Sequence, residues 1–238
     1  MRAVSSMATR HVLGELLAAA ADRGLPAVRL ESVGGVSAAQ RVIEGEPFDL
    51  VLLAEDALGA LAGEGHVHAS SLTPLMVSSV VAAVPAGPGS VPGSGADSGL
   101  VAFADAAALR AALRAAPRIG YSTGPSGTAL VRMLEDWGLG DELRHRLVQA
   151  RPGVPVAQLL ARGEADLGFQ QRSELIGQPG VRTLGVLPAD CAIDTVFAGA
   201  VAVTTTACAE ALDVLAFLRS DEAIRIIGAH GFDAPRCS

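Results

Sequence analysis

Short, uniformly apolar runs alternate along this chain with helical stretches that start and stop on glycine, proline and small polar residues, and this restricts it to a layered α/β fold. The sharpest case is Asp49 to Ala54, where every residue after the aspartate is apolar. A strand with no polar face must be covered on both sides. Before it, Leu13, Leu16, Leu17 and Ala20 share one face of a first helix that ends at Gly24. Ser5, Ser6 and Thr9 stand ahead of that helix as candidate N-caps, and the chain enters it almost directly from Met1. A strand from Ala27 to Leu30 follows, then Gly34-Gly35 opening a helix from about Val36 to Glu44, stopped by Gly45 and Pro47, and a helix Ala57 to Ala62 after the apolar strand. The sequence has no short tandem repeat.

The pattern changes at Leu75 to Val84, a longer apolar run without helical caps that reads as a strand crossing from one domain to another. Pro85 to Ser98 reads as a flexible loop beyond the crossing. A second series then runs through a helix at Ala104 to Ala115, a strand Arg118 to Tyr121 and a helix from about Pro125 to Trp137. It continues with a strand near Leu147 to Gln149, a helix Val154 to Arg162 and strands Ala165 to Phe169 and Val181 to Gly185. Thr195 to Val203 reads as the return crossing, followed by helices Ala207 to Leu218 and Asp221 to Ala229, with Thr206 and Ser220 as N-caps.

Composition bounds the function. At 238 residues, half of them apolar and 3% aromatic, the chain can bury one large core or two small ones built from alanine, valine and leucine. A net charge of −7 with scattered arginines gives no footprint for nucleic acid. No run approaches the roughly 18 apolar residues of a membrane helix. The N-terminus has no apolar signal core, so a cytoplasmic location is expected for the sequence as it stands, or a periplasmic one if a leader has been removed. Cys191, Cys208 and Cys237 lack any metal-ligand spacing; one pairing among them stays open, but idle thiols are the simpler reading. His66 and His68 alternate in a loop with no third ligand nearby, so no metal is expected. No nucleophile elbow, phosphate-binding loop or dinucleotide fingerprint occurs, and no cofactor is expected.

The stretch richest in chemistry is Tyr121-Ser122-Thr123-Gly124-Pro125-Ser126-Gly127-Thr128. Hydroxyls, glycines and a proline crowd the point where a strand hands over to a helix, so free N–H groups and a positive helix end face one small volume. That is an anion site in outline.

Three further stretches resemble the substrate-binding proteins of ABC transporters, with the type 2 periplasmic-binding-protein fold, and within them the molybdate-binding group. Val36 to Asp56 resembles that family's helix, Gly-x-Pro-x-Asp turn and strand; Gly153 to Phe169 resembles the helix, Gly-x-Ala-Asp-x-Gly turn and strand of its second lobe. The tail Leu215 to Ala223, with Gly231-Phe232 after it, is similar to the family's C-terminal ending. The resemblance implies an α/β fold of two lobes, each a mixed sheet flanked by helices, joined by two crossing segments: residues 1–80 with 200–238, and residues 81–199. It implies a small anionic ligand in the cleft between the lobes, with no cofactor, an ABC transporter permease as partner and a monomer as the usual state.

Mapped by position, the ligand-binding candidates are Ser5 and Ser6 in the loop before the first helix, Gly34, Gly35 and Ser37, then Ser122, Thr123, Ser126, Gly127 and Thr128, the helix start at Val154, and Gln170, Gln171 and Arg172 after a strand. By the same register Gly35 stands where the family usually supplies a serine, and Gln171 where the molybdate group places a tyrosine. Amides and a guanidinium at Gln170 to Arg172 suit the planar carboxylate of a larger organic anion. Each N–H or hydroxyl bond to a charged acceptor contributes roughly 1.5–3 kcal/mol, so about five or six preorganised donors suffice without a lysine. Some relatives of the molybdate-binding group are cofactor-independent isomerases of unsaturated carboxylates such as aconitate, and on that alternative His11, Glu55 or Asp56 would be the base. A ligand-sensing module is a third reading.

Overall fold

The computed structural model describes residues 1–87, 101–151 and 154–235. The loop expected at Pro85 to Ser98 therefore lies mostly outside the described residues, as does Cys237. In chain order the strands and helices begin with β1 (Arg2–Ser6), α1 (Arg10–Asp22), β2 (Arg29–Val33), α2 (Gly35–Ile43), β3 (Leu50–Ala54), α3 (Glu55–Gly63) and β4 (Thr73–Pro85). They continue with α4 (Ala106–Ala115), β5 (Ile119–Tyr121), α5 (Pro125–Asp136), α6 (Gly140–Leu143), β6 (Leu147–Gln149), α7 (Val156–Ala161), β7 (Leu167–Gln171) and α8 (Arg172–Leu175). The last are β8 (Val181–Val186), β9 (Asp194–Val201), α9 (Cys208–Phe217) and α10 (Asp221–Ala229).

These elements form two compact units, one of Met1–Ser78 with Thr195–Ser238 and one of Ser79–Asp194, so the chain passes between them within β4 and at the start of β9.

The first unit carries strands in the order β2-β1-β3-β9-β4. β1 is parallel to both β2 and β3, whereas β9 runs antiparallel to β3, which makes the sheet mixed. Successive side chains point to opposite faces of a strand, and each face has its own core. Ala3, Leu50, Leu52 and Val201 pack against Leu13, Leu16, Val214 and Ile227 of α1, α9 and α10. Val4, Val51, Leu53 and Ala200 pack against Ala38, Val42, Leu58 and Leu61 of α2 and α3. The apolar run Leu50–Ala54 is thus read twice, once by each layer. Gly199 is needed for one of these contacts, since a Cβ there would come within 2.5 Å of Leu215 Cδ2.

The second unit repeats the scheme with order β4-β7-β5-β6 and β8 on the other side of β4. β5 is parallel to β6 and β7; β4 is antiparallel to β7 and β8. Val80, Ala82, Ile119 and Phe169 join Leu109, Leu130 and Leu134 on one face, and Val81, Ala83 and Ala165 join Val156 and Leu160 on the other.

In each unit an aspartate clasps the sheet. Asp49, just before β3, accepts Arg2 N–H through Oδ2 at 2.7 Å and Thr205 Oγ1–H through Oδ1 at 2.6 Å. Asp166, just before β7, takes both Nε and Nη2 of Arg118 at 2.9 Å. The Arg118 guanidinium holds the Asp166 carboxyl below the usual carboxylate range. The Asp of each quoted turn motif is therefore architectural: it fixes the start of one strand to the start of its parallel neighbour.

Four local expectations are corrected. Ser5 and Ser6 close the strand β1, which pairs on both sides, rather than lying in a loop. The helix expected from Val154 starts at Val156 instead, because Val154 precedes Pro155 and a residue before proline is pushed out of the helical region. Gln170 and Gln171 end β7 rather than following it, paired with Val81 and Val80. Thr206 does not cap α9; Ala207 occupies that position and Thr205 Oγ1 accepts its N–H at 3.0 Å. Ser220 does cap α10, accepting Ala223 N–H at 3.2 Å. Cys191 and Cys208 are free thiols.

Candidate functional site

The candidate residues of the first unit gather at the ends of β1 and β2 and the start of α2. The parallel register sets Ser5 beside Ser32 and Ser6 beside Val33. Ser5 is fully buried, and its Oγ lies 2.8 Å from Ser32 Oγ and 3.2 Å from the Ser6 carbonyl oxygen. Its hydroxyl stitches β1 to β2. Ser6 is the one nearer solvent, with Oγ 3.4 Å from Thr9 Oγ1, while Thr9 donates to the Ser6 carbonyl at 3.3 Å.

Gly34 is the N-cap of α2, and the first intrahelical bond runs from Ala38 N–H to Gly34 O at 2.8 Å. The N–H groups of Gly35, Val36 and Ser37 precede that bond and are the orphan donors of a helix start. A Cβ built on Gly35 lies 3.9 Å from Ser6 Cβ, which places these donors beside the end of β1. Ser37 is exposed, near Gly34.

The candidate base residues stand apart in character. His11 is exposed on α1 and its Nε2 accepts Arg10 Nε–H at 2.9 Å. Glu55 and Asp56 occupy the first turn of α3, where negative charge complements the helix dipole. His66 Nε2 lies 3.6 Å from Glu64 Oε2, and His68 is exposed. Among the described residues, no group of three His, Cys, Asp or Glu is gathered as a metal would require.

The second unit builds its set at the β5–α5 junction. Gly124 is the N-cap, proline occupies the first helical position, and both Gly127 and Thr128 N–H reach the Gly124 carbonyl, at 3.0 and 3.1 Å. Ser122 Oγ and Ser126 Oγ lie 2.9 Å apart, so the loop and the first turn of α5 present a hydroxyl pair. Gly127 makes this closure possible: a Cβ there would sit 1.8 Å from the Ser122 carbonyl oxygen. Thr123 is exposed, as is Thr128, whose Oγ1 donates to the Gly124 carbonyl at 3.4 Å.

The other candidates of this unit are differently employed. Gln170 is buried, its Oε1 accepts Val156 N–H at 2.7 Å, and its Nε2 donates to Glu174 Oε2. It caps α7 from the side, which occupies the donor that a ligand at that helix start would need. Desolvation raises the Glu174 carboxyl above its ordinary range, opposed by the Gln170 hydrogen bond. Val154 N–H is also engaged, with the Arg151 carbonyl at 2.9 Å. Gln171 is buried at the N-cap of α8 and Arg172 follows it, half-buried.

Sequence reasoning missed Ser32 and Glu174. Ser32 was reachable only by extending β2 past Leu30 and pairing it with β1. Glu174 falls four residues after Gln170, a spacing that carries no signal until the short helix α8 is recognised.

The comparisons agree with this architecture. The bacterial extracellular solute-binding protein family matches residues 1–233. A Pseudomonas protein described as aconitate isomerase is 31% identical over 191 residues, covering 80% of this chain and 69% of that one. Among solved structures, the substrate-binding domain assigned to a molybdenum ABC transporter from Clostridium difficile superposes with a TM-score of 0.79 at 16% identity, over 99% of both chains. A tungstate-binding protein from Desulfovibrio alaskensis gives 0.74 at 17% identity, over 100% of this chain and 99% of that one. Among the described residues no helix is long and apolar enough to cross a membrane. The β-α order, the two aspartate clasps and a match over almost the whole length make this chain a member of the bacterial extracellular solute-binding protein family.

Proposed function

We propose that this solute-binding protein binds a small anion through neutral donors of the kind each unit carries: Ser6 with the N–H groups at Gly35 to Ser37 in the first, and Ser122 with Ser126 at the start of α5 in the second. The observation that carries the reading is the duplication. Each unit runs its first parallel strand into a serine, Ser6 as the last residue of β1 and Ser122 directly after β5, and places that serine against a second hydroxyl, with a helix start beside it. Helix starts favour negative charge, and hydrogen bonds to a charged acceptor are about twice as strong as neutral ones. The chain contains no lysine, so these dipoles and hydroxyls are the donors suited to a compact anion in these two places. Thr123, Gly127 and Thr128 shape the second set, and Ser5 backs the first by tying β1 to β2, whereas Val154 and Gln170 are engaged at α7. An ABC transporter permease is the partner, and the periplasm the compartment, that accompany this reading.

The test is a thermal-shift panel of molybdate, tungstate, sulfate, phosphate and di- and tricarboxylates, since a ligand that binds only the folded state raises the melting temperature by mass action. A rise with at least one anion supports the proposal, and no rise with any overturns it. Aconitate belongs in the panel because one relative is described as acting on it. NMR of that mixture in deuterated water separates binding from turnover. The three bases named for turnover give it no further support, because His11 is exposed and bonded to Arg10, and Glu55 and Asp56 serve the α3 dipole.

A further inference from the structure

Ser78 carries a hydroxyl that the fold does not use. It sits in β4 within the apolar run Leu75 to Val84, is 1% exposed, and its Oγ has no hydrogen-bond partner among the described residues. Ser5, Ser71 and Ser126 are also buried, and each bonds a neighbour. A buried hydroxyl left unpaired keeps its full desolvation cost, so alanine would serve this core better.

The first unit ends at Ser78 and resumes at Thr195. Here β4 runs antiparallel to β9: Val201 N–H reaches Ser71 Oγ at 2.9 Å, and Val80 N–H reaches the Ile193 carbonyl at 2.9 Å. Counting back two residues from Val80 and on two from Ile193 sets Ser78 opposite Thr195 on one face of the ladder. Hydroxyls opposed across two strands come within bonding reach of each other.

This crossing lies at the donor-bearing end of each unit. Because β9 is antiparallel to β3, β4 shares the direction of β3 and β1, and the step from Leu75 to Ser78 runs the way β1 runs toward Ser6. In the second unit Val80 pairs with Gln171, the last residue of β7, and β7 is parallel to β5, which hands over to Ser122.

Resting on the anion-binding reading above, we propose that Ser78 is a conformational latch: β4 has a second arrangement in which the Ser78 hydroxyl bonds Thr195 Oγ1, and a bound anion favours that arrangement. A ligand shifts such an equilibrium only by its differential affinity for the two states. The hydroxyl is therefore a cost in the unliganded protein and a bond in the liganded one.

Ser78→Ala and Thr195→Val, singly and together, test this by scanning calorimetry without ligand and by titration calorimetry with molybdate, sulfate, phosphate, succinate and citrate. Unliganded Ser78→Ala should melt about 2 °C or more above wild type, the effect of removing one unpaired buried hydroxyl. It should nevertheless bind the anion about two- to tenfold more weakly, the scale of one neutral hydrogen bond. Thr195→Val should show the same loss of affinity, and the double variant no further loss. If Ser78→Ala melts at or below wild type, the hydroxyl already has a partner such as a buried water, and the proposal is overturned. Unchanged affinity in either single variant, or losses that add, also overturns it, and all of these results leave the anion-binding reading standing. A wild type that binds none of these anions overturns both.

Discussion

Gly127→Ala is the sharpest perturbation the structure offers, because the added methyl would sit 1.8 Å from the Ser122 carbonyl oxygen, 2.8 Å from its carbon and 3.1 Å from Tyr121 Cδ2. The first two atoms are backbone, so no rotamer change relieves the overlap. The end of β5 must move away from the first turn of α5. Overpacking usually costs about 1–3 kcal/mol, and a backbone neighbour puts this variant at the upper end, about 3 kcal/mol. For a chain of this size each kcal/mol is about 2–4 °C in melting temperature, which predicts a fall of roughly 6–12 °C. The same displacement separates Ser122 Oγ from Ser126 Oγ, so anion affinity falls with stability. Gly124→Ala is the matched control: its Cβ would meet only Ser122 Oγ, at 3.8 Å, and its backbone is extended. That variant should melt within about 0.5 kcal/mol of wild type. Differential scanning calorimetry reads both. A Gly127→Ala protein that melts with wild type and retains its anion affinity would refute the account of the junction.

Asp49→Ala should lower stability by about 3 kcal/mol, since it strands Arg2 N–H and Thr205 Oγ1–H, each bonded to a charged acceptor; chemical denaturation measures it, and Asp166→Ala, whose partner Arg118 is nearly half exposed and can be hydrated, should cost less. Gln170→Leu should cost about 1–3 kcal/mol by leaving Val156 N–H unsatisfied in the core, read by the same assay. Glu174 titrates above its ordinary value when folded, so the native state holds its proton more tightly than the unfolded chain and pays for the carboxylate at neutral pH. Glu174→Gln should therefore melt above wild type at pH 7, with the difference shrinking as pH falls through the raised folded value and gone below the unfolded value near 4.5. Glu31 and Glu46 have the opposite sign: Arg41 and Arg2 lower Glu31, and Arg41 lowers Glu46. Their contribution is complete above the unfolded value and lost as pH falls through the lowered folded ones, so Arg41→Gln should flatten the acid limb of a melting-temperature profile below about pH 4.5.

The layered α/β fold was legible wherever a strand is apolar on both faces, because Leu50–Ala54 and Leu75–Val84 leave no other arrangement. The strand β1 was not. Residues 2–6 carry only two buried apolar side chains, and their strand state comes from pairing with β2 and β3 on either side, which no local pattern announces. The same tertiary pairing draws Gln170 and Gln171 into β7, where sequence polarity suggests a loop. At the β5–α5 junction the signal is local, since glycine, proline and serine at a strand-to-helix step specify the cap, and the structure brings Ser122 and Ser126 together as the pattern requires. At α7 a local signal was present and overlooked, in that Val154 precedes a proline. Gln170 misled for a chemical reason: a buried amide at a strand end suits a ligand or an internal cap equally well, and only the positions of Val156 N–H and Glu174 distinguish them.

The measurement that bears most directly on the central claim is titration calorimetry of the best anion from the panel against wild type, Ser6→Ala and Ser126→Ala. The account predicts a loss of roughly tenfold or more in at least one of the variants, as expected for hydrogen bonds of about 1.5–3 kcal/mol to a charged acceptor. Wild-type affinity in both variants would contradict it.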